Sequence, residues 1–586
     1  MTAPRPAAVV LALAVVLAGC IPTTVDQAPS TAPVASPTID PVGGPGGDTP
    51  TVASSPTPGG PRPGAGDTST PASPDVALPT PIPLPAPTTS RLRIGLDRDP
   101  SALDPARAID DGALMVVDAL FDSLTRMSED LTRVEPAAAS SWEVSADGLV
   151  WTFTLRDATW HDGLPVTAQQ FVRAFTHVAA DAGGVQPFHA HLLSRITGWE
   201  AAQAGQELEG VRAPSTTTLE VTLDEPFGDL PAALSSPALA PRRRAGVDLQ
   251  QPVGNGPFRM DGPWAHNQFI RVAAVADHVD APRVGEVVFQ IYAGERPDSL
   301  QLEDFRAGVL DVAAVPPVEL EAVAAEYGMA PDGYSGPGLL EGVGDEAYWI
   351  GFNTAQAPFD DPQVRLGISQ LLDRDRVIDV YTASSRTRAT GIVPGGIPGS
   401  GTIDCAPCRH DPLSAATALD GFAERLDGPM RILTIDGVTN RGIATSLATA
   451  IRDTTGARVI VDAEPLGQWL AGVRAPGVQV FRAGWEASWP TMGGVLVPSF
   501  SSDEIGGDNL VRLADGPLDE AIAAAMPMTG SDGVALWQEA EQRVADLAAV
   551  APVSWNRLNV VVADGVRGFR MAPTGQVDLS QVSVVE

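Results

Sequence analysis

The feature that most constrains this chain is a change of composition near residue 90. Residues 21–90 hold 18 of the 54 Pro, no aromatic residue and six charged residues, five Asp and Arg62. Such a segment buries too little apolar surface to offset the entropy lost on ordering, so it is predicted to stay unfolded. A flexible chain of this length spans on the order of 50 Å, and its prolines extend it. It reads as a stalk, with a PxxP docking segment as the competing reading. The fold must then be built from residues 91–586.

Residues 8–18, AVVLALAVVLA, follow a short stretch carrying Arg5. This run is shorter than the ~20 apolar residues a membrane-spanning helix needs, and it suits the apolar core of a secretion signal. It ends in Leu17-Ala18-Gly19-Cys20, which resembles a bacterial lipobox. That resemblance implies that 1–19 is a signal peptide and that Cys20 is lipidated and anchors 20–90 to the membrane. More than one acyl chain is needed for stable anchoring. An ordinary secretion signal with a chance Cys is the alternative.

Residues 91–586 carry 36 basic and 67 acidic residues, a net charge of −31. An excess of this sign argues against a nucleic-acid partner, which requires a basic footprint. Every basic residue is Arg, so a P-loop lysine, a Schiff-base lysine and an S-x-x-K nucleophile are excluded. Three Cys exclude a disulfide-dense scaffold. No period of 20–50 residues repeats, and helix and strand signals alternate, which predicts α/β layers. Trp151-Thr152-Phe153-Thr154-Leu155 alternates as a half-buried strand does, and Arg431–Ile435 and Val459–Val461 are strand-like runs. Thr167 and Gln170 have capping-box spacing before Phe171, Ala174, Phe175 and Val178 on one helical face. Asp361-Pro362 is an N-cap followed by Pro at the first helical position.

Several motifs, in order, are similar to the extracytoplasmic solute-binding proteins of ABC importers, family 5, the oligopeptide/dipeptide-binding class. They begin with Ser101-Ala102-Leu103-Asp104-Pro105 and Phe121-Asp122-Ser123-Leu124. The longest is SWEVSADGLVWTFTLRDATWHDGLPVTAQQFVRAF at 141–175. VGNGPF at 253–258, FRAGVLD at 305–311, GFNTAQAPFDDPQVRLGISQLLDRDRVI at 351–378 and the ending from Ala551 to Phe569 complete the series. The resemblance implies an α/β, two-lobed periplasmic-binding-protein type II fold with an extra inserted subdomain. Lobe one is expected at about 91–124, 250–345 and 550–586, the inserted subdomain at about 125–249, and lobe two at about 346–549. It also implies a monomer at the extracytoplasmic face of the membrane, on the periplasm or cell-wall side. There it would capture a peptide or similar small polar solute between its lobes and deliver it to an ABC permease. A surface sensor or interaction protein with the same fold is the alternative.

The segment Phe481-Arg482-Ala483-Gly484-Trp485-Glu486-Ala487-Ser488-Trp489-Pro490 aligns with a family motif whose Asp anchors a peptide's α-ammonium group. Here that position is Ser488, which cannot neutralise a cation. Three explanations compete: Glu486 or another acid takes over, the ligand has no free amino terminus, or the site has drifted. Trp485 and Trp489 are candidate flat apolar walls, and Asn353 is a further candidate contact, each with ordinary burial as the other reading. Cys405 and Cys408, a C-x-x-C pair, are expected to form a local disulfide outside the cytoplasm, with a metal site or redox motif as the alternatives. His189 and His191 form an H-x-H pair, weak evidence for a metal-chelate cargo. No cofactor, resident metal or catalytic residue is expected, since G-x-S-x-G, H-E-x-x-H and P-loop motifs are absent. Replacing Cys20 with Ala is expected to release the chain from the membrane fraction; retention there would refute lipid anchoring.

Overall fold

The computed structural model describes residues 90–180, 189–243, 250–383 and 385–585. Cys20, the signal at 1–19 and the linker at 20–89 therefore lie outside the described residues. Among those described, no helix is long and apolar enough to cross a membrane.

Two sheets organise the body. The seven-stranded sheet runs in the order Gly338–Leu340, Val560–Val562, Val312–Ala314, Arg91–Leu96, Glu286–Ile291, Phe269–Ala274 and Phe258–Met260. The six-stranded sheet runs Arg386–Arg388, Val550–Arg557, Val343–Phe352, Val480–Glu486, Met430–Ile435 and Val459–Glu464. The first has a parallel centre with antiparallel flanks, and the second is antiparallel up to Val480–Glu486 and parallel from there to its Val459–Glu464 edge, so both are mixed sheets of the two-lobed α/β fold expected. In the second sheet, Met430–Ile435 crosses through helix Val438–Thr455 to the parallel strand Val459–Glu464. A separate four-stranded antiparallel sheet runs Ala139–Val144, Val150–Leu155, Thr218–Thr222 and Val211–Arg212.

Local signals explain these elements. Asp147-Gly148 turns the chain between Ala139–Val144 and Val150–Leu155, with Gly148 at φ 73°, a conformation that favours glycine. Trp151, Phe153 and Leu155 point into the core, as period two requires. Gln170 Oε1 accepts the Thr167 N–H at 2.7 Å, and Phe171, Ala174, Phe175 and Val178 are buried along helix Ala168–Ala179. The Asp361 carboxylate accepts the Gln363 N–H at 2.9 Å and opens helix Pro362–Gln370. The Gly254-x-Gly256 turn lies against Leu120, whose carbonyl oxygen would stand 1.8 Å from a Cβ added at 254. Only glycine permits that approach.

The lobe boundaries differ from those expected. Val550–Arg557 pairs with Val343–Phe352, so the chain re-enters the first sheet at Val560, not at about 550. The outward crossing lies at 341–342, between Leu340 of the first sheet and Val343 of the second. The crossings run side by side: Leu558 N–H donates to Gly342 O at 2.8 Å, and Arg557 pairs with Glu341 at 2.9 Å.

Arg374, 1% exposed, fastens the second lobe. Its guanidinium donates to Pro552 O, Pro407 O (2.6 Å), Ser369 Oγ (3.0 Å) and Leu372 O (3.1 Å). Pro407 belongs to the turn closed by a Cys405–Cys408 disulfide, with Cα atoms 5.2 Å apart. Burial pulls the guanidinium down to about 9. Arg374→Met leaves several buried carbonyls unpartnered and is expected to cost about 3 kcal/mol in urea unfolding; an unchanged midpoint would refute this.

Candidate functional site

A cavity of about 260 Å³ opens where the two sheets' neighbourhoods meet. Helix Asp111–Leu120 supplies one wall through Asp111, Leu114 and Asp118. These positions, followed by Phe121, repeat at three- and four-residue intervals and so share a face. Asp110 caps the helix, accepting the Ala113 N–H at 2.9 Å and the Ser101 N–H at 2.8 Å. Capping occupies that carboxylate and leaves its neighbour, Asp111, facing the cavity.

The opposite wall comes from the second sheet. Asp345 lines it at the start of Val343–Phe352; Trp485 and Glu486 line it at the end of Val480–Glu486, followed by Ser488 and Trp489. The register runs Val343↔Arg557 and then Ala347↔Trp555, so 344–346 face one residue, Asn556. This is an irregularity of the bulge kind, which re-aims side chains. Asn556 Oδ1 accepts the Glu346 N–H at 2.9 Å, and a Cβ on Gly344 would lie 2.4 Å from the Asn556 amide.

Glu346 stands directly across from Glu486, a like-charge pairing that opposes sheet formation. Glu346 is compensated by Arg386 at 3.2 Å and Arg482 at 4.0 Å. Glu486, Asp345 and Asp111 have no such compensation: among the described residues none enters an ion pair of 4.0 Å or less. Asp345 is 5% exposed. Burial, then Asp111 and Glu346, push it up to about 8. Glu486 is raised well above the ordinary carboxylate range by burial, then by Asp345, Asp111 and Glu346. Asp111 keeps contact with water along its side chain; desolvation of its carboxyl, then Asp97 and Asp110, raise it to about 6 against the pull of Arg98.

Four of the five candidate contacts, Trp485, Glu486, Ser488 and Trp489, thus come together. Both indoles are already hydrogen-bonded: Trp485 Nε1–H to Gly494 O and Trp489 Nε1–H to Asp229 Oδ2, each at 3.1 Å. Trp489 also packs edge-on against Phe227 at 5.1 Å, and Thr491 donates to Asp229 at 2.6 Å. Asn353 stands apart. Its amide donates to Val478 O at 2.8 Å and Pro476 O at 3.3 Å, tying strand ends together, and it does not line the cavity. Cys405 and Cys408 are also outside the cavity lining. His189 lines the cavity, with Nε2 against Ala108 O at 2.8 Å, and burial pulls it down to about 4. Among the described residues, no three or more His, Cys, Asp or Glu are grouped to hold a metal ion.

Sequence reasoning missed Asp111, Asp118 and Asp345. The helix signal was present: DGALMVVDAL places two acids seven residues apart on one face of an otherwise apolar helix.

The family model of bacterial extracellular solute-binding proteins, family 5 middle, matches residues 133–507. The oligopeptide-binding protein OppA of Bacillus subtilis is 30% identical over 319 residues, 52% of this chain and 56% of that protein. The probable deoxycholate-binding periplasmic protein YgiS of Escherichia coli is 26% identical, over 80% of this chain and 89% of the relative. Among solved structures, the unliganded open form of the murein tripeptide-binding protein MppA of Escherichia coli has a TM-score of 0.72 at 22% identity. It covers 85% of this chain and 98% of that one. That likeness carries the two-lobed fold. The chain belongs to the bacterial extracellular solute-binding proteins of family 5.

Proposed function

We propose that this chain is the lipid-anchored substrate-binding component of an ABC importer. It is held at the extracytoplasmic face through Cys20 and the stalk at 20–90, and it works as a monomer. It captures a small solute bearing a free ammonium group, a short peptide in the first instance, between its lobes and presents it to a membrane permease. We take lobe one as about 91–124, 250–340 and 560–586, the inserted subdomain as about 125–249, and lobe two as about 343–557.

The observation that carries this reading is the set of carboxylates Asp111, Asp345 and Glu486, which line one cavity beside Trp485 and, among the described residues, enter no ion pair of 4.0 Å or less. An ammonium group brought out of water requires such a partner. The cluster supplies it although Ser488 stands where the family's anchoring Asp is expected. Trp485 and Trp489 offer apolar walls for the remainder of the solute. Closure of the lobes over the solute would be driven by its higher affinity for the closed form.

A ligand at a hundred times its dissociation constant adds about 2.7 kcal/mol of apparent stability. Trialanine is expected to raise the Tm of the full chain and N-acetyl-trialanine to leave it unchanged; equal shifts, or none, would refute ammonium capture.

The cluster also has a pH signature. Its folded-state values lie above those of exposed carboxylates, so its contribution to stability without ligand is present near pH 4. It is lost as pH rises through about 6 and about 8. Asp345→Asn is therefore expected to gain Tm relative to the parent at pH 8 and to gain little at pH 4. A pH-independent difference would refute the mutual repulsion.

A further inference from the structure

We infer that the cleft is built for a solute with two positive charges about 10 Å apart, one held by Asp111, Asp345 and Glu486 and the other by Asp118. The inference rests on the cavity being the solute site, as proposed above, and adds the class of solute.

Asp118 follows Asp111 by seven residues, two helical turns, so both face the cavity with Leu114 between them. The first pole is more than a patch of acids. Asp345 is 5% exposed and lines the cavity, and among the described residues its carboxylate enters no ion pair and accepts no hydrogen bond from another residue. The second pole is a half-buried carboxylate. Among the described residues, Asp118 enters no ion pair and accepts no hydrogen bond, whereas the acids around it are engaged. Asp122 meets His278 at 3.1 Å, and Asp578 accepts the Ser580 N–H at 3.0 Å and the Ser580 hydroxyl at 2.5 Å. Burial, then Asp578 and Asp122, push Asp118 up to about 7, against the pull of Arg126.

The cavity offers little to an anion. Among the described residues Arg126 is the one arginine in its lining, and it already faces Asp280 at 3.1 Å, Glu135 at 3.6 Å and Asp578 at 3.8 Å. A solute whose second charge is negative would bury it without an uncommitted cation, which is costly. One whose second charge is positive satisfies Asp118, and a methylene spacer passes Leu114. The absence of a metal-holding grouping among the described residues leaves organic cations as the fitting class. A basic side chain of a short peptide and a linear diamine share this chemistry.

Titration calorimetry of the full chain with Gly-Gly-Gly, Gly-Lys-Gly, octylamine and 1,8-diaminooctane tests it. Gly-Lys-Gly is expected to bind about tenfold or more tightly than Gly-Gly-Gly. Asp118→Asn should erase that margin, and Asp118→Glu should keep most of it. Diaminooctane binding above octylamine supports the two-charge rule with a diamine as a sufficient source; a margin seen only for the peptides supports it with a basic peptide. Equal binding within both pairs, or equal loss of both peptides in Asp118→Asn with Asp118→Glu no better, overturns the second pole and leaves ammonium capture standing. No binding by any free amine overturns both.

Discussion

The second lobe is organised around one strand, Val343–Phe352, hydrogen-bonded on both sides and buried from Ala347 onward. Such a strand cannot slip: moving its register by one residue would turn its apolar side chains to the wrong face and strand both ladders. Its ladder to Val550–Arg557 shifts register twice, between Val343 and Ala347, where the chain has just left the other sheet, and again between Tyr348 and Trp349. Asp345 and Glu346 stand in the first of these shifts, so their position follows from the way the lobes are joined. Opposite them Glu486 ends the neighbouring strand, and the register sets it across from Glu346. The repulsion in the cleft is thus fixed by the pairing of an apolar sheet.

The absence of lysine has a structural counterpart. Two of its deeply buried cations are guanidinium groups that spread their donors over main-chain carbonyls. Arg374 does so, and Arg365 bonds Phe359 O at 2.7 Å and Ala548 O at 3.2 Å. A planar fork with five donors suits such sites better than an ammonium. These arginines fasten loops to sheets and take no part in the cleft.

Much of the fold was legible because its signals are local. The Thr167–Gln170 box, the Asp361-Pro362 helix start and the alternation of Trp151, Phe153 and Leu155 each describe a few neighbouring residues, and each is found in place. The ordered motifs carried the two-lobed architecture. The crossings were displaced because nothing local distinguishes Val550–Arg557 from a strand of the other sheet; its place depends on pairing with Val343–Phe352, two hundred residues away. The site was half legible for the same reason. Trp485, Glu486, Ser488 and Trp489 were found through one contiguous segment. Asp111 and Asp345 join them only after folding, and Asn353, close to that chemistry in sequence, spends its amide on Val478 and Pro476.

The paired crossings at 341–342 and 558–559 have a mechanical consequence. Two hydrogen-bonded segments side by side make a flat ribbon, which bends across its face more readily than within its plane. Relative motion of the lobes therefore has one compliant direction, set by the Leu558–Gly342 bond and the Arg557–Glu341 pair. Asp345 lies three residues from this pivot and sweeps a short arc. Asp111 stands on a helix beside the other sheet, so the gap between these two carboxylates is the natural measure of how far the cleft has shut.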